Sequence, residues 1–322
     1  MLIDTLGRSI EYLRISVTDR CNYRCQYCMS ESGISLLPHD KIITYEEITK
    51  LASIFLELGI KKIRFTGGEP LVRKGFIDFL SFFISKFPGL IVSITTNGSF
   101  LYKYYYAIIK SGLNSINISL DTLSSYKFNE ITRGGNLSEV LSGIDCICGS
   151  IPEIKINSVL LKNTYKKSSY DLIEYAKDKN LLLRFIEFMP ANRGVWDEGN
   201  YVSAEEFLRL LNKWGAWIPQ KMKRSVCPGP ARYYRNERTG QTIGVISAVS
   251  DHFCASCNRL RLSSTGLLFP CLFSSLAFDV LTPLRKEDYP TVSERIFQAV
   301  FHKPDKKGFY GDRGVAVSRI GG

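Results

Sequence analysis

Residues 12–18 read YLRISVT, and apolar and polar side chains alternate along them without a break. Leu13, Ile15 and Val17 form one face of a predicted strand, and the opposite, polar face begins at Arg14. The same alternation returns in five later runs of the chain, which we also predict to be strands. They are KKIRFT (61–66), LIVSITT (90–96), SINISLD (115–121), EIKINSVLL (153–161) and LLLRFIEF (181–188).

Helical patterns separate these six strands. They lie near residues 45–58, 74–86, 100–111, 136–149 and 168–179. Strands that alternate with helices form a parallel sheet, either open and doubly wound or closed into a barrel. Helices cover the outer face of such a sheet, so its polar face must line an interior that holds a ligand. A one-sided antiparallel sheet, whose polar face meets water, is the alternative.

The pattern changes after residue 190. One more helix is predicted over 200–213, followed by a hairpin-like TGQTIGVISAVS and a second cysteine-containing segment. We therefore predict two domains, residues 1–220 and a smaller C-terminal domain of residues 221–322.

The composition of the chain limits the kinds of ligand and the cellular compartment that we expect. The 322 residues carry a formal net charge of +11, which predicts an anionic ligand such as nucleic acid, an acidic membrane surface or a phosphorylated small molecule. The N-terminus MLIDTLGRSI lacks a signal-peptide pattern, and no apolar run has the roughly 18 residues that a membrane span needs. We expect a cytoplasmic protein, in which nine cysteines are metal ligands, catalytic groups or core residues rather than disulfides.

Six of the cysteines form two groups of three. Cys21, Cys25 and Cys28 lie in the segment after the first strand, which we call the first cysteine loop. Cys254, Cys257 and Cys271 form the second cysteine set. A structural zinc ion takes four ligands, so each group is one short, whereas a 4Fe-4S cluster held by three thiolates keeps one iron open. Zinc binding and core packing remain the alternatives.

The first cysteine loop also carries a resemblance. Its Cys-x3-Cys-x2-Cys spacing with Tyr27, followed by TGGEP at 66–70, resembles the radical S-adenosylmethionine (SAM) superfamily. That resemblance implies a partial (βα)6 barrel of the TIM type with a smaller C-terminal iron-sulfur domain. It further implies that the first cluster binds SAM on its open iron.

Further motifs run through nearly the whole chain. LRISVTDRCNYRCQYCM, IRFTGGEPL, TTNG, NISLD, RFIEFMP, CxxCNRLRLSSTG and the terminal IGG resemble the GTP 3',8-cyclase family, molybdenum cofactor biosynthesis protein A. The resemblance implies a lyase with two 4Fe-4S clusters that opens molybdenum cofactor (molybdopterin) biosynthesis. A 5'-deoxyadenosyl radical would abstract the ribose C3' hydrogen of GTP, giving (8S)-3',8-cyclo-7,8-dihydroguanosine 5'-triphosphate.

The resemblance also assigns roles to single residues. The SAM contacts would be Tyr27, Gly68, Ser119 and Met189. The GTP contacts would be Arg14, Arg64, Thr95, Lys155, Arg259 and Arg261. A catalytic tail would comprise Arg319, Gly321 and Gly322, although Val317 stands where the family leads us to expect a methionine.

The family further implies an electron donor and a downstream cyclic pyranopterin monophosphate synthase. A homodimer is compatible with it, and neither a nucleic acid nor a membrane is an expected partner. Two rival functions stay open: a peptide-modifying radical SAM enzyme, and a basic zinc-binding nucleic-acid module.

Overall fold

The computed structural model describes residues 1–190, 194–221, 229–305 and 317–320. Within these ranges a single sheet of twelve strands is the centre of the fold. The strands are β1 (Tyr12–Ser16), β2 (Lys62–Thr66), β3 (Ile91–Thr96), β4 (Ser115–Ser119), β5 (Glu153–Leu160), β6 (Leu182–Glu187), β7 (Trp217–Gln220), β8 (Arg232–Asn236), β9 (Thr242–Ile246), β10 (Arg259–Leu262), β11 (Leu267–Phe269) and β12 (Phe278–Asp279). The first six are the six predicted strands.

The helices within the described ranges also follow the predicted alternation. They are α1 (Tyr45–Glu57), α2 (Phe76–Lys86), α3 (Leu101–Lys110), α4 (Ser125–Thr132), α5 (Leu137–Ile147), α6 (Tyr165–Asp178), α7 (Ala204–Leu211), α8 (Leu281–Arg285), α9 (Tyr289–Phe301) and α10 (Val317–Ile320). A capping box starts α1, because Thr44 Oγ1 accepts from the Glu47 N–H at 3.1 Å and Glu47 Oε2 accepts from the Thr44 N–H at 2.7 Å. Helix α4 is one that the sequence analysis missed.

Parallel pairing runs through the centre of the sheet. The strand order is β12-β11-β10-β1-β2-β3-β4-β5-β6-β9-β8-β7, and β1 to β6 pair in parallel with their neighbours. The α/β prediction is therefore confirmed, and the antiparallel alternative is wrong for these six strands. One further parallel strand adjoins each side of this group, β10 next to β1 and β9 next to β6.

The apolar parity of the strands packs against the helices. Leu13, Ile63 and Ile94 are fully buried there, and Phe65 contacts the ring of Phe83 on α2 at a centroid distance of 5.0 Å. Burying each such side chain contributes roughly 1.5–3 kcal/mol. This core fixes which side chains point the other way, into the interior of the sheet.

The segment after residue 220 does not form a sheet of its own within the described residues. Strands β8 to β12 extend the sheet that begins with β1, and β10 pairs with β1 in the register Tyr12 to Arg259 and Arg14 to Arg261. The boundary between residues 220 and 221 stays a prediction. Among the described helices, none has the length and apolar character to cross a membrane.

Candidate active site

One cavity of about 1150 Å³ lies on the polar side of the strands. All residues predicted for the clusters, SAM and GTP line it: Arg14, Cys21, Cys25, Tyr27, Cys28, Arg64, Gly68, Thr95, Ser119, Lys155, Met189, Cys254, Cys257, Arg259, Arg261 and Cys271. The predicted polar interior is therefore present, and its volume exceeds the roughly 300–1000 Å³ of an ordinary small-ligand pocket. The cavity is large enough to consider two ligands side by side.

The first cysteine loop follows β1 and folds against two neighbouring segments. The Cys28 N–H donates to the Cys25 carbonyl at 2.9 Å, and the Gln26 N–H donates to the Ile131 carbonyl of α4 at 2.9 Å. On the other side, the Glu69 N–H donates to the Arg20 carbonyl at 2.8 Å. These bonds hold the loop over the carboxyl ends of the strands, where parallel α/β folds bind their ligands.

Two glycines permit this close approach. A Cβ atom on Gly68 would lie 2.2 Å from the Arg20 carbonyl oxygen, and Gly67 has a φ of 146°. No L side chain fits without moving the backbone of the cysteine loop. The glycines of the TGGEP motif therefore bring β2 and the cysteine loop together.

Carboxylates surround the first cysteine loop. Buried Glu69 accepts from Thr96 Oγ1 at 2.8 Å and from the Asn97 N–H at 2.6 Å, and Asp121 accepts from the Tyr27 hydroxyl at 2.8 Å. Burial raises the pKa of Glu69 to about 7 and that of Asp121 to about 6.

The thiols of this loop respond to the same surroundings. Burial raises the pKa of Cys21 to about 12, with Glu69 adding to the shift, and raises that of Cys28 to about 11. Burial followed by Cys28 and Asp121 raises the pKa of Cys25 well above its usual value. Without a metal, these thiols therefore keep their protons.

Ten lysine and arginine side chains among the described residues line the cavity, and seven of them lie on β1, β2, β5, β6 and β10. We call these seven the cation cluster: Arg14, Lys62, Arg64, Lys155, Arg184, Arg259 and Arg261. Arg64 Nε donates to the Tyr12 hydroxyl at 2.5 Å, and Arg184 Nη2 donates to Asn157 Oδ1 at 2.7 Å. Lys155 pairs with Glu153.

Crowding lowers the basicity of this cluster. Burial and then Arg184 lower the pKa of Lys155 to about 8, against the opposing effect of Glu153. Burial also lowers the pKa of Arg14 to about 10, and neighbouring Arg64 and Arg259 add to that shift. Buried cations that destabilise one another create a demand for an anion of several charges.

The second cysteine set lies beside the cation cluster. The Cys257 N–H donates to the Cys254 carbonyl at 3.0 Å, and β10 with its two arginines begins two residues later. Burial alone would raise the pKa of Cys257, but Arg259 and Lys303 outweigh it and lower the pKa to about 6. This thiol therefore favours the thiolate form, which is the form that binds metals.

The spacing of the possible metal ligands bears on which group they can hold. In the described residues, no three His, Cys, Asp or Glu side chains are grouped closely enough to hold a single metal ion. A zinc site needs such a grouping, whereas a cubane is larger and spaces its three thiolates further apart. Both cysteine groups open onto one cavity, which fits clusters better than closed zinc sites.

An unsatisfied polar atom also marks the cavity. Asn117 lies on β4 between the register positions of Thr95 and Lys155. Its Oδ1 is buried and has no hydrogen-bond partner among the described residues. Buried acceptors are normally paired, so this atom fits a ligand that brings a donor.

The predicted catalytic tail is described only in part. Arg319 donates to the Ser35 carbonyl, and its own carbonyl accepts from the Ser264 N–H at 2.9 Å. Ile320 is fully buried against Phe269, Leu272 and Phe273. Gly321 and Gly322 lie outside the described residues, so the catalytic role of the tail stays a prediction.

Some residues that line the cavity were not predicted. Tyr12 and Lys62 share the strand parity of the predicted GTP contacts, and that parity was a signal for both of them. Lys303 follows α9, where no pattern in the sequence indicated a site.

Comparison with known proteins agrees with this geometry. Residues 15–176 match the family Radical SAM superfamily, and residues 181–309 match Molybdenum Cofactor Synthesis C. Two curated relatives are named GTP 3',8-cyclase. The one from Alkaliphilus oremlandii is 39% identical over 99% of both chains, and the one from Thermodesulfovibrio yellowstonii is 40% identical over 99% of both.

A solved structure shares the fold at low identity. The crystal structure of Streptococcus suis SuiB bound to precursor peptide SuiA has a TM-score of 0.64 and 13% identity, covering 94% of this chain and 67% of that one. Membership of the superfamily brings with it the use of SAM and an iron-sulfur cluster. On its full-length identity to curated relatives, the chain belongs to the GTP 3',8-cyclase family of radical SAM enzymes.

Proposed function

We propose that this protein is a radical SAM lyase that converts GTP to (8S)-3',8-cyclo-7,8-dihydroguanosine 5'-triphosphate, the first step of molybdenum cofactor biosynthesis. The single observation that carries the proposal is the cavity itself, which is lined by both cysteine groups and by the cation cluster. A triphosphate of charge near −4 is the kind of anion that several converging cations bind. Each charge-assisted contact contributes about 1.5–3 kcal/mol.

The first cysteine loop would hold a 4Fe-4S cluster with SAM, and Gly68, Ser119, Met189 and the Tyr27 backbone would contact SAM. When bound, this pair of groups supplies a 5'-deoxyadenosyl radical able to remove the C3' hydrogen of the ribose. The residues of this chain would position the substrate. Arg14, Arg64 and Lys155 would bind the phosphates of GTP, and Thr95 would hydrogen-bond the substrate. A closed, largely dry cavity would keep water away from reactive groups.

The second cysteine set would hold the second 4Fe-4S cluster. Three thiolates leave one iron open, and we propose that this iron holds the purine so that C8 faces the ribose. Arg259 and Arg261 begin the strand directly after Cys257, so they would contact GTP from the same side. Two clusters per chain correspond to about eight irons.

An external electron donor is required, and the product would pass to a cyclic pyranopterin monophosphate synthase. The charged cavity is a concave site of about 1150 Å³, and this size supports GTP over a nucleic acid as the anionic partner. Cytoplasmic location and a homodimer remain part of this proposal.

The test is an anaerobic reaction. The protein is purified and reconstituted with iron and sulfide, then incubated with dithionite, SAM and GTP while 5'-deoxyadenosine and GTP are followed by chromatography. Formation of 5'-deoxyadenosine together with loss of GTP is expected, with about eight irons per chain. If 5'-deoxyadenosine forms and GTP is untouched, the substrate assignment is wrong; about two zinc ions per chain and no iron would overturn the whole proposal.

A further inference from the structure

Lys303 is a buried lysine that contacts the second cysteine set. Lys303 lies two residues after the end of α9, and it is only 4% exposed. Its Nζ donates to the Arg259 carbonyl at 2.7 Å and to the Pro270 carbonyl at 2.9 Å, and lies 3.5 Å from Cys257 Sγ. Pro270 directly precedes Cys271, so one ammonium group contacts both segments that supply these ligands.

Arg8 contacts the backbone of Cys254, the remaining cysteine of the segment that also carries Cys257. Its Nη1 donates to the Cys254 carbonyl at 2.6 Å, and its Nη2 donates to the Pro304 carbonyl at 2.9 Å. Its Nε donates to Asp4 Oδ2 at 2.5 Å, and both side chains are buried. Arg8 and Lys303 together therefore contact Cys254, Cys257 and Pro270, the residue that precedes Cys271.

The two cations differ in how their charge is balanced. Arg8 has Asp4 as its counter-charge, whereas none of the ion pairs between described residues includes Lys303. A buried ammonium with only carbonyl and thiol partners needs a nearby anion. Thiolates around an iron-sulfur cluster are the anions that this position offers.

We propose that Lys303 is a positioning residue of the second cluster, which fixes the ligand segments and stabilises the reduced, more negative state of the cluster. The inference rests on the proposed function, because it requires a cluster at the second cysteine set. Arg8 holds the backbone of Lys303 and Cys254 in place. Because Lys303 also bonds the Arg259 carbonyl, it sets the start of the strand that carries Arg259 and Arg261.

The test isolates the second cluster in the full-length chain. Cys21, Cys25 and Cys28 are replaced by alanine, so that any remaining cluster belongs to the second cysteine set. In this parent we compare Lys303→Met, Lys303→Arg and Arg8→Met, with Lys179→Met as a control of equal charge change at an exposed pair with Asp145. Iron per chain and an electron paramagnetic resonance redox titration are the readouts.

We expect Lys303→Met to lower the ratio of reduced to oxidised cluster about tenfold at a given potential, which corresponds to about 59 mV for one electron. Lys303→Arg keeps the charge and should stay near the parent, and Arg8→Met should shift the midpoint in the same direction as Lys303→Met, because it leaves the buried Asp4 carboxylate unpaired. The control should not shift. A midpoint for Lys303→Met equal to that of the control, in a parent that holds its cluster, overturns the inference and leaves the proposed function intact.

Two further outcomes are also decisive. If the parent binds no cluster, the second cluster and this inference both fall. If Lys303→Met does not fold, Lys303→Gln replaces it. A shift for Gln without one for Arg supports the role of charge, and equal behaviour of Gln and Arg overturns it.

Discussion

The two cysteine groups share their residue types and open onto one cavity, yet the charged side chains that act on their sulfurs differ in sign. At the first cysteine loop burial raises the thiol pKa values, to about 12 for Cys21, and Glu69 and Asp121 add to the shifts of Cys21 and Cys25. At the second cysteine set Arg259 and Lys303 outweigh burial and lower the pKa of Cys257 to about 6, whereas burial still raises that of Cys254. Anionic surroundings favour a cluster that gives up electrons, and cationic surroundings favour one that retains them. Under the proposed function, three cysteines at each end would thus suit electron donation at one end and substrate binding at the other.

The largest expected effect comes from removing one ligand at each end. Cys25→Ser should abolish 5'-deoxyadenosine formation, because SAM has no cluster to bind. Cys257→Ser should abolish GTP conversion and still allow 5'-deoxyadenosine to form. Each variant should keep about four irons per chain, which is half of the number expected for two clusters. Iron analysis checks the cluster content of each variant, and chromatography checks its products. If the two variants lose the same product, the two cysteine groups do not have separate roles.

The next effect concerns the cation cluster. Arg261→Met should weaken GTP binding about tenfold to about a hundredfold, because a buried charge-assisted contact contributes about 1.5–3 kcal/mol. SAM binding should not change. Anaerobic calorimetry of both ligands measures this, with Arg285→Met as control, whose guanidinium pairs with Glu47 at the surface at 2.6 Å. Equal losses of affinity for GTP and for SAM would show that the cation cluster and the SAM end of the cavity do not bind their ligands independently.

The dependence of stability on pH should have opposite sign at the two ends. Burial raises the pKa of Glu69 to about 7 from an unfolded value of 4.5, so its contribution is present below 4.5 and is lost as pH rises through about 7. Burial also raises the pKa of Tyr12, but Arg64, Arg14 and Lys62 outweigh it and lower the value to about 7. The contribution of Tyr12 is therefore present above 10 and is lost as pH falls through about 7.

Urea unfolding of the metal-free protein across this pH range tests these signs. Glu69→Gln should remove part of the fall in stability between pH 4.5 and about 7, and Tyr12→Phe should remove part of the rise above about 7. We expect each change to be on the order of 1 kcal/mol. Parallel pH profiles for the two variants would contradict the comparison.

The smallest effect tests an exception to this division of charge. Glu153 lines the cavity among the cations and pairs with Lys155. Glu153→Gln should tighten GTP binding by up to about fivefold, since a partly exposed pair contributes at most about 1 kcal/mol and Lys155 would no longer be shared. Calorimetry with GTP measures it, and weaker binding would mean that Glu153 itself contacts the ligand.

Strand parity explains how much of the site could be predicted. Period-two alternation fixes which side of a strand faces the interior, so Arg14, Arg64 and Lys155 were located correctly from sequence alone. The roles of Arg8 and Lys303 could not be predicted, because their partners lie 246 and 44 residues away along the chain. Helix α4 was missed because its sequence, SYKFNEIT, buries only Phe128, Ile131 and Thr132. Tertiary contacts, rather than local pattern, order such segments.

The pairing of β1 with β10 sets the point during synthesis at which the sheet can be completed. Strand β1 is synthesised before β10, the partner on one of its edges, which begins only at Arg259. Until then that edge has unpaired N–H and C=O groups, which other nascent chains can recruit. Arg8 likewise bonds the Lys303 and Pro304 carbonyls, which are made later still. One edge of β1 is therefore open to pairing with other chains for as long as β10 has not been synthesised.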